Sequence, residues 1–519
     1  MKRYLVILIA LILCSCDAIF HEEDNPYLKV DKQQEKIDLI NGIYTRLVKI
    51  HDGNYFAVLC RGDDVNLYEN YTFSGNGIGC SGSNSLATPY TYITGDIYVN
   101  LYTAIININN LLLALSERDD KALLGELYFL RAYSYFKLAR LFGTPPLIED
   151  ITVNYYVEKP SYKDVYGFIE RDMFKALEFL PETFTDVRIP GETPHKGTAK
   201  ALLAEIYLAM AGYPVLDESK YAEAARLSGD VIQEAEFYNY ALQNDFALLW
   251  KEENKHDKEN IFGLFFNSGS ENNWNRIGQI RLLANTVPVS LPQWSIYNSY
   301  NLYSNYTPEF KFFDDFPDNY RKYNSYNTGI YRHINYDFQD TIVSTLQFVP
   351  FNPLLDPCTF VSRAVSLKWV GDYLKYTNTQ YDIKPATTLY LLRYAQTLLT
   401  YAEAKARSGN LDQSAFDAVN KIRRRANHLD LNSPSKFDLP ANLTTEQFID
   451  SVVWERAWEL SGEPDGRWFD IIRLNLKDKM AEYRYPEDIP TIVPDVYLTK
   501  DWYFNQIPQE DRWANPNFE

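Results

Sequence analysis

A helical stripe that ends abruptly constrains the fold more than any other feature of the sequence. Between Lys121 and Leu141, apolar and small residues recur at spacings of three and four, which places them on one face of an α-helix that covers a core. Gly143 and then Pro145-Pro146 predict a sharp end, because glycine accepts the left-handed cap conformation and proline cannot donate the next helical hydrogen bond. Residues 98–115 have the same spacing. The core is therefore predicted to be built from amphipathic helices.

Two further stretches predict pairs of helices joined by a glycine turn. Residues 198–232 turn at Gly212, and residues 390–422 turn at Gly409, with small alanines that let paired helices approach closely. Both resemble tetratricopeptide helical pairs, although neither has the full repeat signature and a plain helical hairpin explains them as well. The predicted fold class is all-α dominated, with a tetratricopeptide-like helical scaffold.

The middle of the chain is irregular and rich in aromatic residues. Between residues 287 and 340, 15 of 54 residues are aromatic, about twice the 15% of the whole chain. Trp294, Tyr297, Tyr300, Tyr303 and Tyr306 recur every third residue, and on an α-helix five such positions fan over ~240°. One core stripe cannot hold them all, so some are expected to face solvent or a partner. The alternative is that this lobe uses its aromatic residues as its own core.

The N-terminus has the pattern of a signal peptide. Lys2 and Arg3 precede an apolar run from Tyr4 to Leu13, which is too short to cross a bilayer that needs ~20 residues. No other segment of the sequence is expected to reach that length. The protein is therefore predicted to be exported and not to span the membrane.

The four residues Leu13-Cys14-Ser15-Cys16 resemble the lipobox of bacterial lipoproteins, in which the cysteine after a small residue is acylated. This resemblance implies lipidation at Cys16; an ordinary secretory signal with an incidental cysteine is the alternative. Asp17 and the acidic run 22–24 resemble the surface-export signal of Bacteroidetes lipoproteins, which favours the exterior face of the outer membrane.

The charge balance makes nucleic acid an unlikely partner. The net charge is -18, and removal of residues 1–15 takes away two basic and no acidic residues, which gives -20. The longest basic run, Arg423-Arg424-Arg425, falls inside a helical pattern and is interpreted as a solvated or ion-paired face. Cys60, Cys80 and Cys358 remain after processing; whether Cys60 and Cys80 form a disulfide stays open.

Signals for catalysis are weak throughout the sequence. Residues 77–82 match G-x-G-x-x-G, but no helix is predicted over 83–89, so we interpret them as a flexible loop. The six histidines are scattered singly, which gives no support for a metal site. Glu455 and Glu459 lie one helical turn apart and are interpreted as ion-paired packing with Arg467 and Arg473 instead of a glycosidase pair. We therefore predict no catalytic residue, no metal and no cofactor.

Five sequence segments occur in a fixed order from the first helical stripe to the C-terminus. They are Gly125–Tyr133 with Leu141–Leu147, Gly197–Leu208, Leu392–Gln396 with Tyr401–Ala404 and Ile422–Ala426, Glu455–Leu460 with Arg467–Arg473, and Ile507–Glu510 with Asn515–Asn517. Together with the lipobox they resemble the SusD/RagB family. Two features depart from the family pattern: the loop between Leu460 and Arg467 is one residue longer, and the chain ends soon after Asn517.

The resemblance implies a helical surface lipoprotein that captures a nutrient, usually a glycan, and caps a SusC-like TonB-dependent β-barrel transporter without chemistry. A peptide-binding, RagB-like member is the alternative, and an envelope hydrolase is a more distant one. The implied organisation is a signal peptide at residues 1–15, a SusD-like helical region at 16–235, and a C-terminal region at 236–519. The last region contains an irregular ligand-facing lobe at about 260–385, followed by closing helices.

Ligand contacts must be predicted from physical chemistry, because they lie outside the shared motifs. A sugar ring has apolar faces and a hydroxyl rim, so it suits an aromatic plate flanked by amides and carboxylates. Two regions offer this mixture, the polar stretch from Asp63 to Tyr71 and the aromatic lobe. The candidates are Trp274, Trp294, Tyr68, Tyr71, Asp64 and Asn66. Trp274 is the strongest, because residues 270–275 around it are almost all polar, although a tryptophan that caps the lobe would look the same.

Overall fold

The computed structural model describes residues 33–51, 62–67, 72–73, 78–79, 91–115, 118, 120–149, 156–265, 306–308, 310–327, 329–333, 346–350, 365–366, 388–476, 479, 503–505 and 507–518. Thirteen α-helices lie within these residues. They are α1 (Gln33–Ile50), α2 (Thr91–Ala114), α3 (Lys121–Phe142), α4 (Tyr162–Phe179), α5 (Lys196–Ala211), α6 (Lys220–Gln233), α7 (Phe310–Asp315), α8 (Tyr320–Ser325), α9 (Tyr394–Arg407), α10 (Gln413–Ala426), α11 (Thr445–Glu459), α12 (Arg467–Arg473) and α13 (Gln509–Ala514).

Short strands pair only in twos within the described chain, and every pair is antiparallel. The strands are β1 (Val65–Leu67), β2 (Thr72–Phe73), β3 (Ile78–Gly79), β4 (Asn260–Phe265), β5 (Tyr306–Pro308), β6 (Tyr326–Asn327), β7 (Gly329–His333), β8 (Leu346–Pro350), β9 (Val365–Ser366) and β10 (Thr388–Arg393). The pairs are β1 with β5, β2 with β3, β4 with β10, β6 with β9, and β7 with β8. The prediction of a helix-dominated fold is confirmed.

One hydrophobic core extends from α1 to the C-terminal residues. Consecutive helices pack in the order α1, α2, α3 and α4, while α5 packs on α6, and α9 contacts α6, α10 and α11. Gly125 in α3 permits one close approach, since a Cβ there would lie 2.6 Å from the backbone nitrogen of Leu180. The helical pairs expected from the sequence therefore share a single core.

The predicted helix boundaries hold with two exceptions, of which one is the start of α2 at Thr91, before the predicted residue 98. The helix α3 ends at Phe142, and Gly143 follows with φ of 76°, as the glycine-proline signal predicted. Gly409 has the same role after α9, with φ of 77°. The prediction that helix begins near Tyr390 is wrong: residues 388–393 form β10, which is buried along its whole length against β4. A continuous apolar run does not distinguish a buried strand from a helix.

The helix α2 corrects a second expectation. By length and composition alone, Gly95–Ala114 is the one helix in the described residues that could cross a membrane. The apolar runs of the sequence predict no such segment. Half of this window is buried in the protein, where α2 packs against α1 and α3. A helix that contributes to a folded core passes the same length and composition test.

Candidate functional site

The strands β1 and β5 bring the two predicted ligand-binding regions together. Asn66 pairs with Thr307, and Leu67 pairs with Tyr306, in antiparallel register. The first strand belongs to the polar stretch and the second to the aromatic lobe, which the sequence analysis treated as separate candidates. Tyr306 lies in a strand, so the helical rotation argument does not apply to it. The candidate site is therefore the surface around this strand pair.

The base of β1 is fixed to the C-terminal helices by two neighbouring carboxylates. The Asp63 carboxylate accepts two hydrogen bonds from the Arg467 guanidinium, at 2.7 and 2.9 Å. Asp64 Oδ2 accepts a hydrogen bond from the backbone N–H of Gly462 at 3.1 Å. Both aspartates are buried. Gly462 belongs to the loop between α11 and α12, so this loop contacts the residue that precedes β1.

Asp64 has a distinctive electrostatic environment. Burial, followed by the charge of Asp63, raises the pKa of Asp64 to about 6, and the Gly462 N–H and Arg467 oppose part of that rise. Its side chain is 3% exposed and packs against the loop. The structure gives Asp64 this scaffold contact; its predicted contact with a ligand stays a prediction.

The other predicted residues are only partly located. Asn66 lies on β1, and its backbone forms the strand pair. The remaining sequence candidates, Cys16, Tyr68, Tyr71, Trp274 and Trp294, lie outside the described residues. The same is true of Cys60, Cys80 and Cys358. Their predicted roles stay predictions.

Glu455 and Glu459 are ion-paired in the interior, as expected, but with other partners. Glu459 accepts hydrogen bonds from Arg393 at 2.6 Å, Arg425 at 2.5 Å and Arg321 at 2.8 Å. Glu455 accepts from Arg321 at 2.7 Å and from Arg423 at 3.0 Å. The interaction with Arg467 and Arg473 was predicted wrongly, because those side chains reach Asp63 and Glu403 instead. Neither glutamate is exposed.

The basic run at the end of α10 is ion-paired, and two of its three residues are buried. Arg424 binds Asp438, and Arg425 binds Glu259 as well as Glu459. Arg423, which is partly exposed, binds Glu455. The prediction that the run 423–425 is ion-paired is confirmed, and the alternative of a solvated face is wrong.

A buried carboxylate of α9, that of Glu403, is also paired with arginines. Glu403 accepts two hydrogen bonds from Arg473, both at 2.7 Å, and one from Arg407 at 2.7 Å. Burial opposes its charge, but Arg473 and Arg407 outweigh burial and hold the pKa of Glu403 well below its usual range. A carboxylate held in this way cannot act as a proton donor near neutral pH.

Two of the described histidines have structural positions. His195 caps α5, and its Nδ1 accepts a hydrogen bond from the Gly197 N–H at 3.1 Å. Burial lowers the pKa of His195 to about 4. His51 is buried beside the Tyr133 hydroxyl, with 3.3 Å between Nε2 and the oxygen. In the described part of the chain, no three His, Cys, Asp or Glu side chains are grouped as a metal site requires.

An open groove of about 920 Å³ lies between α6, α9 and α10. Lys405 Nζ donates to Asp412 at 2.6 Å and to Ser414 at 2.7 Å, while the hydroxyls of Tyr401 and Ser414 are 2.8 Å apart. On the opposite wall, Arg226 binds Asp230 at 3.2 Å. Nothing in the sequence predicts this groove, because apolar periodicity predicts shared faces and not the gaps between them.

Comparisons with known proteins cover most of the chain. A family model described as SusD family matches residues 361–519, and a second, described as starch-binding associating with outer membrane, matches residues 23–208. The SusD-like protein P2 of Formosa agariphila is 26% identical over 382 residues, which cover 70% of this chain and 67% of that protein.

Solved structures share the fold at low sequence identity. A SusD homologue from Bacteroides thetaiotaomicron is 23% identical, covers 96% of this chain and 98% of its own, and superposes with a TM-score of 0.76. A laminarin-binding SusD-like protein is 19% identical, covers 93% of this chain and 98% of its own, and superposes with a TM-score of 0.67. At these identities the likeness shows the fold.

Proposed function

The chain belongs to the SusD/RagB family, and from this premise we propose that it binds a nutrient glycan at the cell surface and delivers it, unmodified, to a partner TonB-dependent outer-membrane transporter. Trp274, Trp294, Tyr68 and Tyr71 are the proposed aromatic contacts, and Asn66 and Asp64 are the proposed polar ones.

The observation that carries the proposal is the pairing of β1 with β5. It joins the backbone of the polar stretch to the backbone of the aromatic lobe through Asn66 and Thr307, which supports one ligand site shared by the two regions. A saccharide requires this combination, because its ring faces are apolar and its rim is polar. The printed description of one related structure, a laminarin-binding SusD-like protein, supports a glycan as the ligand class.

The proposal of binding without turnover is supported by how the motif carboxylates are used. A glycosidase needs one protonated and one ionised carboxyl group across a cleft. Glu455 and Glu459 instead accept hydrogen bonds from four buried or half-buried arginines. Glu403 is held ionised by Arg473 and Arg407. These three glutamates therefore contribute to the scaffold.

Localisation is proposed from the N-terminal sequence and the family. Cys16 is the proposed acylated residue, and several acyl chains would anchor the protein firmly, at roughly 0.8 kcal/mol for each buried methylene. The description of the second family model, associating with outer membrane, supports the site of action. The acidic residues after Cys16 favour the exterior face.

Binding to a panel of ligands tests the proposed function. The purified protein is run on native gels that contain laminarin, xyloglucan, starch or other neutral polysaccharides, and it is titrated with a peptide mixture in parallel. We expect retardation by one class of polysaccharide and no release of reducing ends on long incubation. Binding to peptides alone would favour the peptide-binding alternative, and cleavage that copurifies with the protein would refute a purely binding role.

A further inference from the structure

The helix α2 presents an apolar seam to solvent although its other face is buried. Val99, Ile106 and Leu113 are 57%, 45% and 58% exposed, and they are spaced by seven residues. Thr103 and Asn110 lie between them and are partly exposed. The five positions alternate in steps of four and three, so they form one straight ridge about 21 Å long. We call these five residues the α2 ridge.

The helix α2 itself carries no charged residue along the ridge, although Arg46 of α1 donates a hydrogen bond to Asn100 Oδ1 at 3.3 Å beside it. No Asp, Glu, Lys or Arg occurs between Ile97 and Leu115, in a chain whose residues are 23% charged and whose net charge is -18. The flanking positions on α2 are amides: Asn107 is exposed and Asn100 is partly exposed. Depletion of charge around exposed apolar side chains distinguishes the centre of a protein interface from ordinary surface.

We propose that the α2 ridge is the surface that docks on the partner transporter, against an uncharged apolar groove of that protein. This inference rests on the transporter partnership of the proposed function and adds the face that makes the contact. The four-three spacing fits a complementary groove that accepts a helical ridge. The Asn110 amide supplies hydrogen bonds that fix the register, and the Thr103 hydroxyl, which donates to the Val99 carbonyl at 2.7 Å, can accept one.

Charge and area argue against a second copy of the chain as the occupant. Two copies would each bring a net charge of -18 to the contact. A single ridge about 21 Å long and about 10 Å wide covers on the order of 200 Å², well below the ~800 Å² per partner of a stable interface. Such a patch is effective as one part of a contact with a partner that is already held nearby.

The composition of the ridge also argues against a lipid surface. Helices that lie on a membrane place Lys or Arg on their polar side and Trp at the boundary. The exposed face of α2 has amides in those places.

The chain connection places the ridge near the membrane. The helix α1, which packs against α2, begins at Gln33, 17 residues after the proposed acylated Cys16. Seventeen residues span at most ~60 Å even when fully extended. The α1 and α2 pair is therefore within reach of a barrel that stands in the same membrane.

Charge substitutions on the ridge test this assignment in the full-length, membrane-bound protein. Ile106→Asp alone and together with Val99→Asp are compared with Phe174→Asp, a matched control on α4 whose side chain is 53% exposed. Each variant is affinity-purified from native membranes in mild detergent, and the copurified transporter is quantified by mass spectrometry. Because the altered side chains are exposed, thermal unfolding is expected to be unchanged.

We expect the ratio of copurified TonB-dependent barrel to binding protein to fall about tenfold or more in the ridge variants. The Phe174→Asp control should have the same ratio as the wild type. Equal recovery by the wild type and the ridge variants would overturn the docking face while leaving the transporter partnership intact. No barrel with the wild type would refute both. A wild-type dimer that Ile106→Asp dissociates would assign the ridge to a second copy instead.

Discussion

Asp63 and Arg467 form a two-hydrogen-bond ion pair across 404 residues of sequence, and both side chains are buried. Asp63 directly precedes Asp64 and β1, while Arg467 is the first residue of α12. The pair therefore fixes the strand that carries the candidate site to the helical scaffold.

A double-mutant cycle on this pair is expected to reveal strong coupling. Asp63→Asn and Arg467→Met should each lower the free energy of unfolding by about 3 to 5 kcal/mol, because each leaves one buried charge without its partner. In the double variant the free energy of unfolding should fall by much less than the sum of the two single losses, since no unpaired charge remains. Urea unfolding of the four proteins measures the coupling; additive losses would mean that the pair does not act as a unit.

Asp64 is expected to give the protein an unusual dependence of stability on pH. Its pKa is about 6 in the folded protein and 3.8 when unfolded, so between these values the folded state binds the proton more tightly. The contribution of Asp64 to the free energy of unfolding therefore grows as pH falls from 6 to 4 and is lost as pH rises through 6. Asp64→Asn removes this dependence while keeping an acceptor for the Gly462 N–H.

The quantity to measure is the difference in the free energy of unfolding between the Asp64→Asn variant and the wild type. The other carboxyl groups are the same in both proteins, so their contributions to the pH dependence cancel. That difference should shift by about 2 kcal/mol in favour of the wild type between pH 7 and pH 4. Urea titrations at half-unit steps of pH supply the data. A difference that is constant over this range would show that the pKa of Asp64 is not raised.

Glu459 is expected to be essential to the scaffold. Glu459→Gln leaves Arg393, Arg425 and Arg321 with one fewer negative charge among them. The free energy of unfolding should fall by about 3 to 5 kcal/mol, because a buried ion pair is broken. Glu446→Gln on the same helix is the control, because Glu446 is exposed in the first turn of α11. Thermal unfolding that is alike in both variants would contradict a buried ionic centre at Glu459.

Trp274 is the first residue to test at the proposed ligand site. Trp274→Ala should weaken binding of the preferred glycan by roughly 1 to 3 kcal/mol, by analogy with aromatic stacking platforms, and should leave the melting temperature almost unchanged. Calorimetric titration and a thermal melt of the same sample distinguish the two effects. A large drop in melting temperature with affinity preserved would place Trp274 in the core of the lobe.

Cys16 is the residue to test for anchoring. Cys16→Ala should abolish palmitate labelling and move the protein out of the membrane fraction, because no acyl chain can then be attached. The control is Cys14→Ala, which alters the neighbouring cysteine and should keep labelling. Continued labelling and membrane retention of the Cys16→Ala variant would refute the lipobox assignment.

The sequence by itself determined the helical scaffold and the family. The spacing of apolar residues in α3, α5, α6 and α9 is a local property, since residues three and four apart share one face wherever the helix packs. The end of α3 at Gly143 is local for the same reason. The ordered motifs could be recognised because they consist of contiguous residues.

Only the tertiary structure decided which distant groups meet. Glu459 was expected to pair with Arg467 and Arg473, yet it contacts Arg393, Arg425 and Arg321. The pairing of Asn66 with Thr307, and of Asp63 with Arg467, joins segments whose separation in sequence carries no information about contact. Helix formation is governed by near neighbours, whereas the partners of a buried charge or of a strand edge are chosen by how whole elements pack, and that choice has no local sequence signature.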